Sequence, residues 1–409
     1  MKDTKARAII GGGAAGMMAA GTAIKYGASV TVFEHTDRLG KKLAITGKGR
    51  CNVTNLCETN DFLQNVSRNP RFLYTALNAF SPNDTLAFFE ELGVALKVER
   101  GRRVFPDNDK AKTIVDAMRS YCKGAKIVYT EVKAIKHIDE GKFKLLCDKE
   151  YLFDSVIIAT GGASYPLTGS DGSGYKLARS LGHTVTRIKP SLVPLEADTK
   201  LCSSLMGLSL KNVSLKIVSA DSRELYSDFG EMIFTHFGIS GPMVLSASSA
   251  LSDADFSSLF ALIDLKPALD MQTLDARLIS DLRERANQDL SNVLGGLLPT
   301  KMIYPFLKYV KIDGKKKANL ITKEERRAIL TALKCFKFKL YGTRPIDEAI
   351  ITSGGVEVKE ISPKTMESKI LPGLYFAGEV IDVDAFTGGY NLQIAFSTGY
   401  LAGLSASQV

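Results

Sequence analysis

Residues 8–16 read Ala8-Ile9-Ile10-Gly11-Gly12-Gly13-Ala14-Ala15-Gly16, and this stretch decides the fold. The apolar run Ala6 to Ile10 has the length of a short buried strand. Gly11, Gly13 and Gly16 then form G-x-G-x-x-G. A helix-compatible stretch runs from Ala14 to Tyr26 and stops at Gly27. A second strand, Ser29 to Phe33, ends at Glu34. Strand, glycine turn, helix, strand and acidic residue stand in the order a dinucleotide site requires. Gly11 permits the tight turn, Gly13 leaves space for a pyrophosphate, and Gly16 lets helix and strand approach. Ala14 and Ala15 open the helix, whose free N–H groups and positive dipole end face the phosphates. Glu34 is placed to accept hydrogen bonds from a ribose. A carboxylate there repels a 2′-phosphate, so the site suits FAD or NAD rather than NADP.

Composition bounds the rest. With 409 residues, two or three domains and a large core are expected. Apolar and charged fractions are those of a globular chain. No apolar run approaches a membrane span. The glycine-rich start lacks the long apolar core of a secretory leader. Six scattered cysteines point to reduced thiols and a cytoplasmic location. No Cys/His cluster has zinc spacing, so no metal is expected. The net charge of +9 raises the question of an acidic partner. The cations read as dispersed, and the densest run, Lys315-Lys316-Lys317, as a solvated loop. No nucleic-acid or membrane partner is expected on that reading.

Beyond Glu34 lies Gly40-Lys41-Lys42-Leu43-Ala44-Ile45-Thr46-Gly47-Lys48-Gly49-Arg50-Cys51-Asn52-Val53-Thr54-Asn55. A basic, glycine-rich segment directly after the acidic strand end is suited to lie along a phosphate. It matches G-[RK]-K-L-x-x-[ST]-G-K-G-R-C-N-x-[ST]-N. With the N-terminal motif and the C-terminal stretch below, the chain resembles the bacterial BaiN-like or YhiN-like NAD(P)/FAD-dependent oxidoreductases over nearly its whole length. That resemblance implies an α/β fold: a Rossmann-like FAD-binding domain of the two-dinucleotide-binding class, split in sequence by an inserted domain. It further implies that Gly40, Lys42, Lys48 and Asn52 lie along the FAD. Cys51 and Cys57 are separated by five residues, one more than a flavin disulfide relay uses, and read as ordinary thiols.

Residues 60–122 read as mainly helical, with Ser81-Pro82-Asn83-Asp84 as a helix start. Arg100-Gly101-Arg102-Arg103-Val104-Phe105-Pro106 resembles a family element. It makes Arg103 a candidate substrate or flavin contact, with a plain surface turn as the alternative. Lys126–Thr130, Val132–Ile138 and Lys142–Cys147 read as a β-meander turning at residues 139–141. By analogy, the backbone of Val132 would meet the adenine. Phe153 to Ala159 reads as a buried parallel strand running into Thr160-Gly161-Gly162, an ending that resembles the second cofactor-contact motif of this fold class and implies a contact through Thr160 and Gly161.

Pro190 and Pro194 mark a domain exit. The expected division is residues 1–189, an inserted substrate or cap domain at 190–345, and a return at 346–409. The insert reads as β-rich and barrel-like over 190–262 and helical over 263–335. His236, in a segment resembling a family signature, is a candidate proton donor or substrate contact, with a structural role as the alternative. Leu274, Leu278, Leu282, Ala286 and Leu290 share one helix face. Thr322 and Glu325 make a capping box. Thr352-Ser353-Gly354-Gly355-Val356 is suited to a close approach to something flat, such as a flavin or substrate. Leu374 to Ala377 reads as a strand ending at Gly378-Glu379. Glu379, or else Asp382 or Asp384, is placed for the ribityl hydroxyls. Gly389, Asn391 and Leu392 sit at the start of the last helix, whose positive end would face the flavin edge that gains charge on reduction. Tyr390 is a further candidate substrate contact.

These readings point to an FAD-dependent oxidoreductase moving a hydride between a small organic substrate and flavin N5. No catalytic acid or base is assigned. Without a second nucleotide fingerprint, NAD(P)H would serve only as a transient donor over the flavin. The alternatives are an oxygen-dependent oxidase of a small amine or hydroxy compound, and an RNA-binding or RNA-modifying flavoprotein.

Overall fold

The computed structural model describes residues 5–138 and 141–408, so two residues of the expected turn at 139–141 lie outside the described residues. The chain divides into two compact units, Met1–Ser191 with Pro345–Val409, and Leu192–Arg344.

The first unit is built on a five-stranded parallel sheet. Its strands are β1 (Ala6–Ile10), β2 (Ser29–Glu34), β3 (Lys126–Tyr129), β4 (Ser155–Ile158) and β5 (Leu374–Phe376), in the spatial order β5-β4-β1-β2-β3. Strands buried on both faces must be apolar throughout, and Ile9, Val32, Ile157 and Phe376 are all essentially inaccessible. The last strand arrives from the far end of the sequence, so both chain segments are needed to complete one sheet. Helix α1 (Ala14–Lys25) crosses from β1 to β2, and α2 (Tyr390–Gln408) packs against it.

Small residues set that packing. A Cβ at Gly399 would fall 2.5 Å from the Ala15 carbonyl oxygen, and one at Gly403 would fall 2.4 Å from that of Ala19. Two helices can approach this closely only where one presents glycine.

The meander differs from expectation. Lys126–Tyr129 is not part of it but pairs in parallel with β2 as the sheet edge. The three antiparallel strands are Ala134–Ile138, Lys142–Leu146 and Glu150–Phe153. Phe153 thus closes the meander, and β4 starts only at Ser155. The apolar run spans two strands because both bury the same core, and periodicity alone does not mark the corner between them. Residues 60–122 are less helical than expected. Leu96–Glu99 and Arg103–Pro106 form an antiparallel hairpin. The Ser81–Asp84 capping box is present in both directions.

The second unit contains a closed six-stranded barrel. Its order is Leu195–Ala197, Gly238–Ser240, Glu224–Phe234, Ser209–Ser219, Leu259–Asp264 and Phe336–Thr343. Alternating burial along Leu259–Asp264 and Phe336–Thr343 puts Ala261, Ile263, Phe338 and Leu340 inside. Between those two strands lie Met271–Glu284, Leu290–Leu294, Thr300–Val310 and Lys323–Lys334. Leu274, Leu278 and Leu282 form the buried stripe of the first helix. Leu290 belongs to the next one. The Thr322–Glu325 capping box opens the last.

Candidate functional site

The site forms where the parallel strands end. β1 leaves the sheet at Gly11, whose φ is +102°. A Cβ there would meet the Ala159 carbonyl oxygen at 2.5 Å, and one at Gly16 would meet the Gly11 carbonyl oxygen at 1.9 Å. These two glycines are therefore required by the chain's own backbone. Gly13 differs: nothing lies within 4 Å of where its Cβ would sit. That open ground lies directly before Ala14 and Ala15. No side chain caps the helix there, so its positive end is available to an anion.

Glu34 is buried at the end of β2. One carboxylate oxygen accepts from the Gly12 N–H at 2.8 Å and the other from the Thr36 N–H at 2.8 Å. The side chain is thus fixed beside the glycine turn with lone pairs to spare. Gly40 donates its N–H to the Gly12 carbonyl at 2.9 Å, which folds the basic loop back over the same turn.

Within that loop the three expected cofactor residues part company. Lys42 is ion-paired to Glu379 at 2.8 Å and donates to Ser164 Oγ at 2.8 Å. Glu379 also accepts from the Thr352 N–H at 2.8 Å. Two residues expected to face the cofactor separately are thus each other's partners. Ser164, which the sequence did not single out, and Thr352, marked only as the start of a glycine stretch, complete their network. Lys48 is exposed in a left-handed turn with φ 58°. Asn52 carries a buried Oδ1 with no hydrogen-bond partner among the described residues.

Thr160, at the end of β4, has a buried Oγ1 that is likewise unpartnered. It sits 1.9 Å from where a Cβ at Gly174 would be, so Gly174 makes room for it. Gly161 turns beside it with φ +76°. Gly378 donates to Thr398 Oγ1 at 2.9 Å and lies against Ala15, tying the β5 turn to both helices. Gly389, φ +100°, leaves no space for a side chain between Thr54 and Asn52 Oδ1. It opens α2, with Leu392 half-buried in its first turn.

Other expected residues turn inward. Asp384 is buried among Ser67, Ser191 and Ser353, at 3.0, 3.1 and 3.2 Å. Asp382 is ion-paired to Arg68. Asn391 accepts from the Ala385 N–H at 3.0 Å and donates to the Ala385 carbonyl at 2.7 Å, holding the loop before its own helix. Gly354 and Gly355 pack closely against backbone: Cβ atoms there would strike the Arg187 carbonyl at 2.3 Å and the Ile381 carbonyl carbon at 2.6 Å. Val132 is buried at the entrance to the meander.

Among the substrate candidates, Arg103 is exposed and donates to the Arg100 carbonyl at 3.0 Å. Tyr390 is buried edge-on against Phe62, ring centroids 5.0 Å apart, and burial pushes its phenol up to about 12. It therefore keeps its proton at neutral pH. His236 belongs to the second unit, exposed beside Phe237. Burial pushes the Cys51 thiol up to about 12 and the Cys57 thiol to about 11, the opposite of a reactive thiolate. Among the described residues, no group of His, Cys, Asp and Glu could hold a metal.

The observations that test a bound dinucleotide are the clear ground at Gly13, the uncapped helix start, and the two orphaned polar atoms of Asn52 and Thr160. Buried polar atoms are rarely left unpaired; Ser155 Oγ and Tyr375 OH are also unpartnered among the described residues, but those two lie within sheet strands, whereas Asn52 and Thr160 lie in the turns beyond them. The residues fit the group.

Comparison with known proteins agrees. The model of the HI0933-like protein Rossmann domain matches residues 5–405. The 3-dehydro-bile acid delta(4,6)-reductase of Clostridium scindens is 33% identical, over 98% of each chain. The ribosomal RNA dihydrouridine synthase of Haemophilus influenzae is also 33% identical, over 98% of each chain. Among solved structures, the 3-ketosteroid-delta4-(5alpha)-dehydrogenase of Rhodococcus jostii RHA1 superposes with a TM-score of 0.52 at 14% identity, covering 98% of this chain and 96% of the other. At that identity the likeness speaks for the fold alone. The chain belongs to the HI0933-like family, and its fold is the Rossmann-type FAD-binding fold of flavin-dependent oxidoreductases.

Proposed function

We propose that this flavoenzyme reduces a carbon–carbon double bond conjugated to a carbonyl. One observation carries the reading: two full-length relatives with unlike substrates are named for the same kind of bond. A 3-oxo compound with delta(4,6) unsaturation and the uracil ring of uridine both present an alkene activated by a carbonyl. What the two share is the chemistry, and the size of the substrate is what differs.

FAD, when bound, supplies the two-electron carrier that accepts hydride from a donor and passes it to the electron-poor carbon. The residues that would hold it are Gly13 with the Ala14–Ala15 helix start at the pyrophosphate, Glu34 at the adenosine ribose, and Asn52, Thr160 and Gly389 at the redox end. Gly11, Gly16 and Gly378 shape the backbone under it. Lys42 and Glu379 neutralise one another beside that end and fix the turns carrying Thr352 and Ser164. Asp384 and Asn391 act as positioning residues for the loop before α2. Its positive end favours negative charge in front of Tyr390. Tyr390 retains a proton to give. Arg103 and His236 remain candidate substrate contacts. NADH or NADPH is the proposed donor, acting transiently. The oxidase alternative is not favoured by the chemistry of either relative.

A second reading assigns RNA as the substrate carrier, supported by the relative named for ribosomal RNA and by a chain of pI near 9.0. The free thiols suit a reducing, cytoplasmic compartment. No helix among the described residues is long and apolar enough to cross a membrane.

The test is anaerobic. The flavin is bleached with NADH or NADPH, and an α,β-unsaturated ketone, its saturated analogue, or a uridine-containing RNA is then added. Colour returning with the enone or the RNA, and not with the saturated ketone, supports the reading. Colour returning only when air is admitted defeats it.

A further inference from the structure

The net charge is not spread along the chain. Residues 301–344 hold thirteen lysines and arginines against three acidic residues, a net of +10. The rest of the chain holds forty basic and forty-one acidic residues. The dispersed charge read from the sequence is therefore corrected: this one segment of the second unit carries the whole excess.

Part of that charge is structural. Lys316 pairs with Glu325 at 2.7 Å, Lys317 with Asp289 at 2.7 Å, Arg326 with Asp275 at 2.9 Å and Lys334 with Asp264 at 2.6 Å. The lysine run expected to be a solvated loop is thus partly tied down.

The remainder forms a face. Helix Thr300–Val310 contains no acidic residue. Met302, Ile303, Phe306 and Leu307 are its buried side. The helical period puts Lys301, Tyr304 and Lys308 together on the opposite side, and Lys311 follows in a left-handed turn. Strand Phe336–Thr343 continues it. Phe336, Phe338 and Leu340 point into the barrel, so Lys337, Lys339 and Tyr341 alternate outward. Tyr309 joins the two elements. Its hydroxyl donates to the Lys337 carbonyl at 3.1 Å and accepts from the Lys337 N–H at 3.2 Å. None of Lys308, Lys311, Lys337 and Lys339 makes an ion pair among the described residues. Lys337 lies over the Phe260 ring at 4.3 Å and Lys339 over Tyr341 at 5.6 Å. Tyr304 is 71% exposed and Tyr341 56%.

We infer that this face of the second unit, helix Thr300–Val310 with strand Phe336–Thr343, is a binding surface for single-stranded RNA. The inference rests on the RNA reading above. Cations without carboxylate partners meet phosphates, and exposed tyrosines between them offer rings on which bases stack. An anionic membrane would be met by exposed aliphatic side chains beside the lysines. Here the aliphatics of the helix all point inward, and the large side chain on its outer face is a tyrosine.

The experiment uses the full-length protein and a fluorescein-labelled, uridine-rich single-stranded RNA oligomer, read by fluorescence anisotropy across a salt series. Wild type binds with a steep salt dependence. The double substitution Lys308→Glu with Lys337→Glu lowers affinity about tenfold and flattens the log–log salt slope by about 1 to 2, as expected for two lost phosphate contacts. Tyr304→Ala weakens binding about tenfold with the slope unchanged. Lys136→Glu, an exposed cation in the first unit, leaves binding as it was. The altered side chains are exposed, so an unchanged visible flavin spectrum and melting temperature establish folding. The surface is rejected if the double variant binds like wild type, or if Lys136→Glu is equally damaging. It is also rejected if the double variant keeps RNA binding and loses only co-sedimentation with phosphatidylglycerol vesicles. A dihydrouridine assay on the same RNA separates the two levels: binding without product removes the RNA-substrate reading and leaves the surface standing.

Discussion

The proposed nucleotide site of the first unit and the proposed RNA-binding face of the second are built by opposite means. In the first, the decisive features are absences of side chain. Gly11 and Gly16 admit the chain's own backbone, Gly13 leaves ground open, and Gly399 and Gly403 let α2 sit against α1. In the second, backbone supplies only a scaffold, and exposed lysines and tyrosines form the surface. The lesson is that substitutions in the two regions should separate cleanly. Adding a side chain at Gly11, Gly16, Gly399 or Gly403 breaks the fold with the function, adding one at Gly13 blocks the cofactor alone, and changing a charge on the second changes binding alone.

The largest effect tests the first half of that contrast. Gly399→Leu drives a side chain into the Ala15 backbone. We expect a loss of about 3 kcal/mol or more from overpacking, with the flavin colour lost as well. Chemical denaturation with the visible spectrum checks it, and a stable yellow variant would break the contrast.

Next comes Glu379→Gln. It leaves Lys42 facing a neutral amide in a site where both side chains are less than a quarter exposed. A cost of about 1–2 kcal/mol is expected, discounted from a fully buried pair for solvent access. Lys42→Met with Glu379→Gln should recover part of it, and failure to recover would mean that Lys42 acts through something other than this pair.

A smaller effect depends on pH. His183 is buried, hydrogen-bonded to Glu360 at 3.1 Å and Ser368 at 2.8 Å. Burial lowers its pKa, with Glu360 opposing in part. The folded state therefore binds fewer protons than the unfolded one. Stability is full above the unfolded value near 6.5 and falls as pH drops below it, by less than about 1.4 kcal/mol per unit. His183→Gln should flatten the melting-temperature profile between pH 7 and 5 (roughly the His titration window). An unchanged profile would remove the histidine from the account.

The smallest expected change lies in the second unit. Tyr309→Phe removes both hydrogen bonds to Lys337 and should cost about 0.5–1.5 kcal/mol, read as a modest fall in melting temperature. It should also weaken RNA binding less than the charge reversal does, because the lysines remain.

What the sequence disclosed follows the same divide. Gly11 to Gly16 and Glu34 were legible because each role is local: a turn, an approach, a strand end. The Ser81 and Thr322 capping boxes were legible for the same reason. Partner choice was not. Nothing in Lys42 or Glu379 announces that they pair across 337 positions of sequence. Asn391 and Asp384 are polar residues at the right place, and local chemistry cannot say that a loop carbonyl and three serines claim them first. Gly354 and Gly355 show the limit of a glycine as a sign: it records that something is close, and here that includes the backbone of Arg187 and Ile381. The Gly399–Gly403 spacing is a further local sign, one of close helix contact. The basic face is no run of lysines: its residues are spaced by helix and strand periods and gathered by Tyr309.

The most direct measurement is the visible absorption spectrum of the purified chain, with FAD supplied, beside that of Gly13→Glu. Gly13 has room for a side chain and lies where the pyrophosphate would, so the variant should fold and reject the cofactor by charge. The account predicts a yellow wild type and a folded, colourless variant. A colourless wild type that takes up no FAD, or a variant as yellow as wild type, would contradict it.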